Sequence, residues 1–206
     1  MMSKDYLDQL SGGQLGDFKW QNASTFQVLS PSGTGIRIKA PAKCDYFRDP
    51  AGVHVMASAP YLFLEVEGDF TAKVLVSHGF KSVWDAAAVM MWADSDHWAK
   101  LCFEATDFGT RAIVSVVTNG ASDDGNGVNY HWPEVWLQIV RVGNVFGMQY
   151  GPDGIHWNMV RYFGMDVPQK LRIGLVAQCP GGDGAELDFH SFHLENATVR
   201  DLRAGV

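Results

Sequence analysis

Apolar and polar positions alternate with a period of two along most of this chain. Phe70, Ala72, Val74 and Val76 alternate with Thr71, Lys73 and Leu75. Leu101, Phe103 and Ala105 alternate with Lys100, Cys102 and Glu104, and Leu171, Ile173 and Leu175 with Arg172, Gly174 and Val176. Successive side chains of a strand point to opposite faces, so this alternation predicts half-buried β-strands. Turn residues punctuate the runs at Ser32-Gly33, Gly68-Asp69, Asp107-Phe108-Gly109, Gly143-Asn144 and Pro152-Asp153-Gly154. The segment from Trp84 to Trp92 has the composition of a helix, but it is short and lies between strands. It reads as a strand buried on both faces. No internal repeat and no linker-like tract divides the chain. The pattern predicts an all-β sandwich of two antiparallel sheets over residues 16–206, with residues 1–15 as a peripheral N-terminal segment. Val74, Val89, Met91, Leu101, Ile139 and Leu175 are expected in its core.

Composition narrows the picture. Of 206 residues, 47% are hydrophobic and only 19% charged, enough for a sizeable core. The 16 basic and 23 acidic residues give a net charge of −7, which argues against binding to nucleic acid or to an anionic membrane. No apolar run approaches the roughly 18 residues that span a bilayer. The first residues carry Lys4, Asp5 and Asp8 without an apolar leader, so a cytoplasmic location is expected. Cys44, Cys102 and Cys179 have no metal-type spacing and read as reduced thiols.

Three segments go beyond pattern. Met91-Trp92-Ala93-Asp94-Ser95-Asp96-His97-Trp98-Ala99-Lys100 continues into Glu104, and Val135-Trp136-Leu137-Gln138-Ile139-Val140-Arg141 follows. Then comes Tyr150-Gly151-Pro152-Asp153-Gly154-Ile155-His156-Trp157. Their order resembles the DUF1349 family over roughly residues 16 to 197. The resemblance implies a concanavalin A-like jelly roll of the lectin and glucanase superfamily. It departs from the family pattern at Gln138, where Arg is usual, and at Gly151, where Ser is usual. The family's general biochemical activity is not established, so the resemblance implies a fold rather than a reaction.

Trp98, Lys100, Cys102 and Glu104 share one strand face. A polar strip beside a Trp suits a sugar, because the ring stacks on C–H faces while charged groups take hydroxyls. The bland alternative is a solvated face with a cross-strand ion pair, to Arg141 or Arg172. The candidate ligand site is a curved face lined by Trp98, Lys100, Glu104, Gln138, Arg141 and Gln178. Exposed, a Lys100–Glu104 pair contributes under about 1 kcal/mol; buried, losing one member costs roughly 3 to 5 kcal/mol.

Other constellations are weaker. Glu65, Glu67 and Asp69 share a face but do not match the glucanase spacing, and they read as a solvated edge. His190 and His193 fall on opposite faces of a strand and cannot share a metal without a bulge. No nucleophile elbow, P-loop or dinucleotide fingerprint occurs. Neither a metal site nor a cofactor is expected. The segment from Asn119 to Gly127 reads as a flexible loop ahead of Tyr130, Trp132 and Trp136.

The leading expectation is therefore a module binding a small carbohydrate or sugar phosphate. A hydrolase or lyase with Glu104 as acid/base is the alternative, although a glycosidase needs two convergent carboxylates and this face offers only Glu104. A regulator of a metabolic enzyme follows from the resemblance alone, since the family includes a fungal protein named for regulating enolase. A homodimer is left open by the sandwich edges.

Overall fold

A computed structural model describes residues 4–30 and 35–206; the turn expected at Ser32-Gly33 lies outside them. Among the described residues a 3-10 segment, Tyr6–Gly13, precedes sixteen strands. The first eight are β1 (Lys19–Gln21), β2 (Phe26–Val28), β3 (Ile36–Ala40), β4 (Tyr46–Arg48), β5 (Val55–Ala57), β6 (Tyr61–Glu67), β7 (Phe70–His78) and β8 (Ala86–Trp92). The rest are β9 (His97–Ala105), β10 (Arg111–Asn119), β11 (Ala121–Asn129), β12 (Glu134–Val142), β13 (Val145–Gly151), β14 (Asn158–Gly164), β15 (Lys170–Gln178) and β16 (Ala185–Glu195).

Two seven-stranded antiparallel sheets form a sandwich with jelly-roll character. The first runs β1-β6-β15-β8-β9-β10-β11 and the second β14-β13-β12-β7-β16-β3-β2. A separate two-stranded hairpin, β4-β5, completes the fold. Among the described residues no helix is long and apolar enough to cross a membrane.

Register explains the alternation. Leu175 sits opposite Val89, and Val89 opposite Leu101, so one face of the first sheet turns apolar side chains toward the second. The second sheet answers with Val74 opposite Leu137 and Ala72 opposite Ile139. All of these are wholly buried. Strand β8 is buried at every position from Ala86 to Trp92, because the reverse face of its sheet is covered as well.

Three expectations change. The segment from Asn119 to Gly127, read as a flexible loop, is mostly strand: β11 pairs with β10 from Asn119 opposite Ala121 to Ala112 opposite Asn129. Backbone pairing at an edge needs no apolar side chain, so Asp, Asn and Gly are tolerated there. The strand expected from Trp84 begins at Ala86; Trp84 itself is in a turn at φ +66°. The N-terminal segment expected to be peripheral packs on the sandwich, with Leu7 and Leu10 wholly buried. The Asp5 carboxylate fixes it by accepting from the backbone N–H of Phe192 and the hydroxyl of Ser191.

Candidate functional site

The cover on the reverse face of the first sheet is the β4-β5 hairpin, and it covers only part of that face. Toward one end, Tyr46 packs edge-on to Trp92 at 5.3 Å, Trp98 at 6.1 Å and Tyr61 at 6.3 Å. Trp98 is thereby only 1% exposed and stacks on Trp92 at 6.2 Å. Toward the other end, hairpin and sheet diverge around a cavity of about 720 Å³, within the range of small-molecule sites.

Register places the polar groups of that cavity. Gln178 lies opposite Ala86, which lies opposite Glu104, in one row across β15, β8 and β9. Lys100 lies opposite Val116, which lies opposite Asp124, in a parallel row across β9, β10 and β11. The hairpin contributes Asp45, Phe47, His54 and Met56 from above. Trp84 and Phe108 stand at the wall, 46% and 78% exposed.

Lys100 is buried, and all three of its ammonium hydrogens have acceptors within the protein. Its Nζ donates to Asp45 Oδ1 at 3.0 Å, to the Tyr46 carbonyl at 2.7 Å and to Gln178 Oε1 at 2.8 Å. Gln178 in turn donates from Nε2 to the Trp84 carbonyl at 3.3 Å. Lys100 is therefore a strut between sheet and hairpin, and its ion pair is with Asp45 rather than Glu104 or an arginine. Burial alone lowers the ammonium, but the Asp45 carboxylate bonded to it leads the opposing contributions and the net shift is upward.

Glu104 is 7% exposed, faces the cavity and makes no hydrogen bond to any described residue. Burial pushes its carboxyl up to about 8; Lys100 draws it down, while Asp124, Asp45 and Asp107 push it further up. The Asp124 carboxyl is raised for the same first reason, opposed by Lys100 and assisted by Asp45. Near neutrality Glu104 is thus a carboxylic acid, able to donate as well as accept. Cys102, between Lys100 and Glu104 on β9, is wholly buried, and burial raises its thiol far above the ordinary range.

Trp84 adopts φ +66°, a conformation that bulky residues rarely take. It is locked there because its N–H donates to the Ala105 carbonyl at 2.6 Å and its carbonyl accepts from Gln178. Such strain persists only where the surroundings enforce it, and it concentrates at ligand sites.

Of the six residues expected to line one face, the fold brings together Lys100, Glu104 and Gln178. Trp98 shares their face but lies under Tyr46. Gln138 and Arg141 belong to β12, in the other sheet. Gln138 Nε2 donates to the Gly205 carbonyl at 3.2 Å, and Arg141 donates to the carbonyls of Gly143, Pro168 and Gln169. Both hold backbone in place, away from the cavity. Asp45, Asp124 and Trp84 were missed. The alternation of Ser122, Asp124 and Asn126 was the available signal for Asp124. The candidates set aside are also engaged elsewhere: Glu65 pairs with Lys19 and Lys170, and His190 Nε2 lies 2.6 Å from Ser77 Oγ. Among the described residues no group of His, Cys, Asp or Glu is placed to hold a metal ion.

Comparison with known proteins agrees with this architecture. The model of a family described as "Protein of unknown function (DUF1349)" matches residues 20–197. Regulation of enolase protein 1 from Saccharomyces cerevisiae is 28% identical over 182 residues, covering 88% of this chain and 90% of that one. A solved structure of a functionally unknown protein from Saccharomyces cerevisiae superposes with a TM-score of 0.81 at 26% identity, over 90% of this chain and all of that one. Two more distant likenesses bear on the fold alone. The GH43 BlXynB protein from Bacillus licheniformis matches at TM-score 0.70 and 17% identity, over 94% of this chain and 39% of that one. Lectin I-B4 from Griffonia simplicifolia matches at TM-score 0.57 and 12% identity, over 95% and 99%.

Proposed function

The chain belongs to the DUF1349 family, and from that premise we propose that the cavity beneath the β4-β5 hairpin binds a small saccharide. One observation carries the reading: a carboxyl group with no hydrogen-bond partner, that of Glu104, faces a cavity whose wall carries a strained, half-exposed Trp84. The Glu104 carboxyl opens onto the cavity, where a ligand hydroxyl would supply the hydrogen bond that no protein group makes. The Trp84 indole offers an apolar plate on which the C–H face of a pyranose packs. Glu104, Asp124 and Asn126 supply hydrogen-bonding partners from the floor.

Hydrolysis is the second reading, favoured by Asp124 and Asp107, which line the same cavity as Glu104. A protonated carboxyl facing other carboxylates is the arrangement that general-acid chemistry on a glycoside uses. Calorimetric titration with monosaccharides and short oligosaccharides tests the first reading, and release of nitrophenol from aryl glycosides tests the second. Saccharide binding that disappears in Trp84→Ala supports a binding site. Binding that survives Trp84→Ala and Glu104→Gln alike places the saccharide elsewhere and ends this proposal.

A further inference from the structure

We infer that the preferred occupant of this cavity carries a positively charged nitrogen, an ammonium or guanidinium seated against Glu104. The inference rests on the saccharide reading and sharpens it to an amino sugar. It begins from a charge count. Among the described residues Asp45, Glu104, Asp107 and Asp124 line the cavity, against Lys100 as the one Lys or Arg. Every donor of that lysine is already taken by Asp45, Tyr46 and Gln178. Among the described residues a phosphate or carboxylate entering here would find no free lysine or arginine donor, only His54, and would face Asp107 and Asp124. That arrangement disfavours sugar phosphates on electrostatic grounds.

An acidic cluster alone would establish little, since many are merely solvated. The second, independent observation is Glu104: its side chain is more than nine-tenths buried, aimed into the cavity and without a hydrogen bond. Three acidic neighbours on three different elements face it: Asp45 ahead of the hairpin, Asp107 in the turn after β9 and Asp124 on β11. His54 of the hairpin and Lys100 complete the charged and titratable groups around the space. The carboxylates are not grouped closely enough to hold one metal ion. They surround a volume suited to an organic molecule. At the wall, Trp84 and Phe108 supply the apolar surface that the body of such a molecule needs and a bare ion does not.

The proton balance follows. Free, the Glu104 carboxyl keeps its proton near neutrality. When the cation arrives, Glu104–COOH becomes Glu104–COO⁻ paired with R–NH₃⁺, and one proton passes to solvent. Binding in buffers of different ionisation enthalpy should therefore show a buffer-dependent heat at pH 6.5. Glu104→Gln should lose that dependence.

The test titrates the protein with four probes: glucose, 6-amino-6-deoxyglucose, glucose 6-phosphate and agmatine, the last a cation without a sugar ring. The amino sugar should bind about tenfold or more tighter than glucose, the difference that one charge-assisted hydrogen bond supplies. Glucose 6-phosphate should not compete. Glu104→Gln should cut the preference for the amine to threefold or less, and Asp107→Asn offers a milder second variant should the first fold poorly. Equal affinity for glucose and the amino sugar overturns the inference while leaving saccharide binding intact. Agmatine matching the amino sugar, with glucose silent, keeps the cation and removes the saccharide. Silence from all four probes up to about 10 mM, an affinity too weak to matter, removes both.

Discussion

Lys100 Nζ and Asp45 Oδ1 stand 3.0 Å apart, joining the middle of the first sheet to the segment leading into the hairpin that roofs it. The pair is nearly closed to solvent, with side-chain exposures of 3% and 16%. Residues so far apart in sequence meet because Tyr46 fills the aromatic pit formed by Trp92, Trp98 and Tyr61, which draws Asp45 down to the lysine. Arg48 secures the far side of the hairpin through Asp96 at 2.9 Å and the Gly120 carbonyl at 2.8 Å.

Removing the lysine should therefore destabilise the fold. Lys100→Met leaves Asp45 without its counter-ion and strips donors from Tyr46 and Gln178. Stranding one member of a buried pair costs roughly 3 to 5 kcal/mol, which lowers the melting temperature by about 10 °C in a domain of this size. Thermal unfolding at pH 7 measures it. A loss below about 1 kcal/mol would mean that the strut is dispensable.

Glu104 predicts the shape of the pH–stability curve. An unfolded glutamate releases its proton near pH ~4.3, whereas folded Glu104 holds it to about 8. Between those values the folded state binds more protons than the unfolded one, so stability falls as pH rises through the window. Asp124, also raised, adds the same sign. Glu65 and Asp94, whose carboxylates are lowered, act only on the acid side of their ordinary values. Glu104→Gln should match the native protein near pH 5 and exceed it at pH 9 by of order 3 kcal/mol. Parallel denaturant curves at the two pH values decide it; identical slopes for the two proteins would show that the carboxyl titrates normally.

Much of the fold was legible because alternation marks strands directly: β7, β9 and β15 lie where it places them, and the apolar run of β8 marks a strand covered on both faces. The site was half legible. Lys100 and Glu104 declared their shared face through the period of two, and Gln178 joins them through the register of β15 on β8 and β9. Nothing in that period says which sheet a strand joins, so β12 was brought to the wrong side with Gln138 and Arg141 on it. Nor does it reveal which part of a face a hairpin will cover, and Trp98 went under Tyr46 for that reason. β11 escaped notice because an edge strand of Asp, Asn and Gly takes its order from the backbone of β10. Trp84 was placed in a strand because its left-handed turn is imposed by Ala105 and Gln178, both remote in sequence.

The sheet assignment makes Arg141 a control. Its Nε and terminal nitrogens donate to the carbonyls of Gly143 at 2.6 Å, Gln169 at 2.9 Å and Pro168 at 3.0 Å. A lysine cannot reproduce that fork. Arg141→Lys should cost about 2 kcal/mol, the loss of hydrogen bonds to a charged donor, and leave saccharide affinity unchanged. Affinity lost at full stability would return Arg141 to the binding face.

The last prediction separates the strain at Trp84 from its ring. Trp84→Ala and Trp84→Gly both remove the indole, so both should abolish saccharide binding and any quenching of tryptophan fluorescence that accompanies it. They differ in the backbone. Alanine keeps a Cβ at φ +66°, where an L-residue pays roughly 1 to 2 kcal/mol, whereas glycine takes this region freely. Part of that gain is offset, since glycine has more freedom to lose on folding, by about 0.5 to 1 kcal/mol. Trp84→Gly should still melt a few degrees above Trp84→Ala, about 1 kcal/mol more stable. That order shows that the turn is strained by its side chain and held in place by Ala105 and Gln178. If alanine is instead the more stable of the two, the turn relaxes in solution and Trp84 is not a preset platform, whatever the cavity binds.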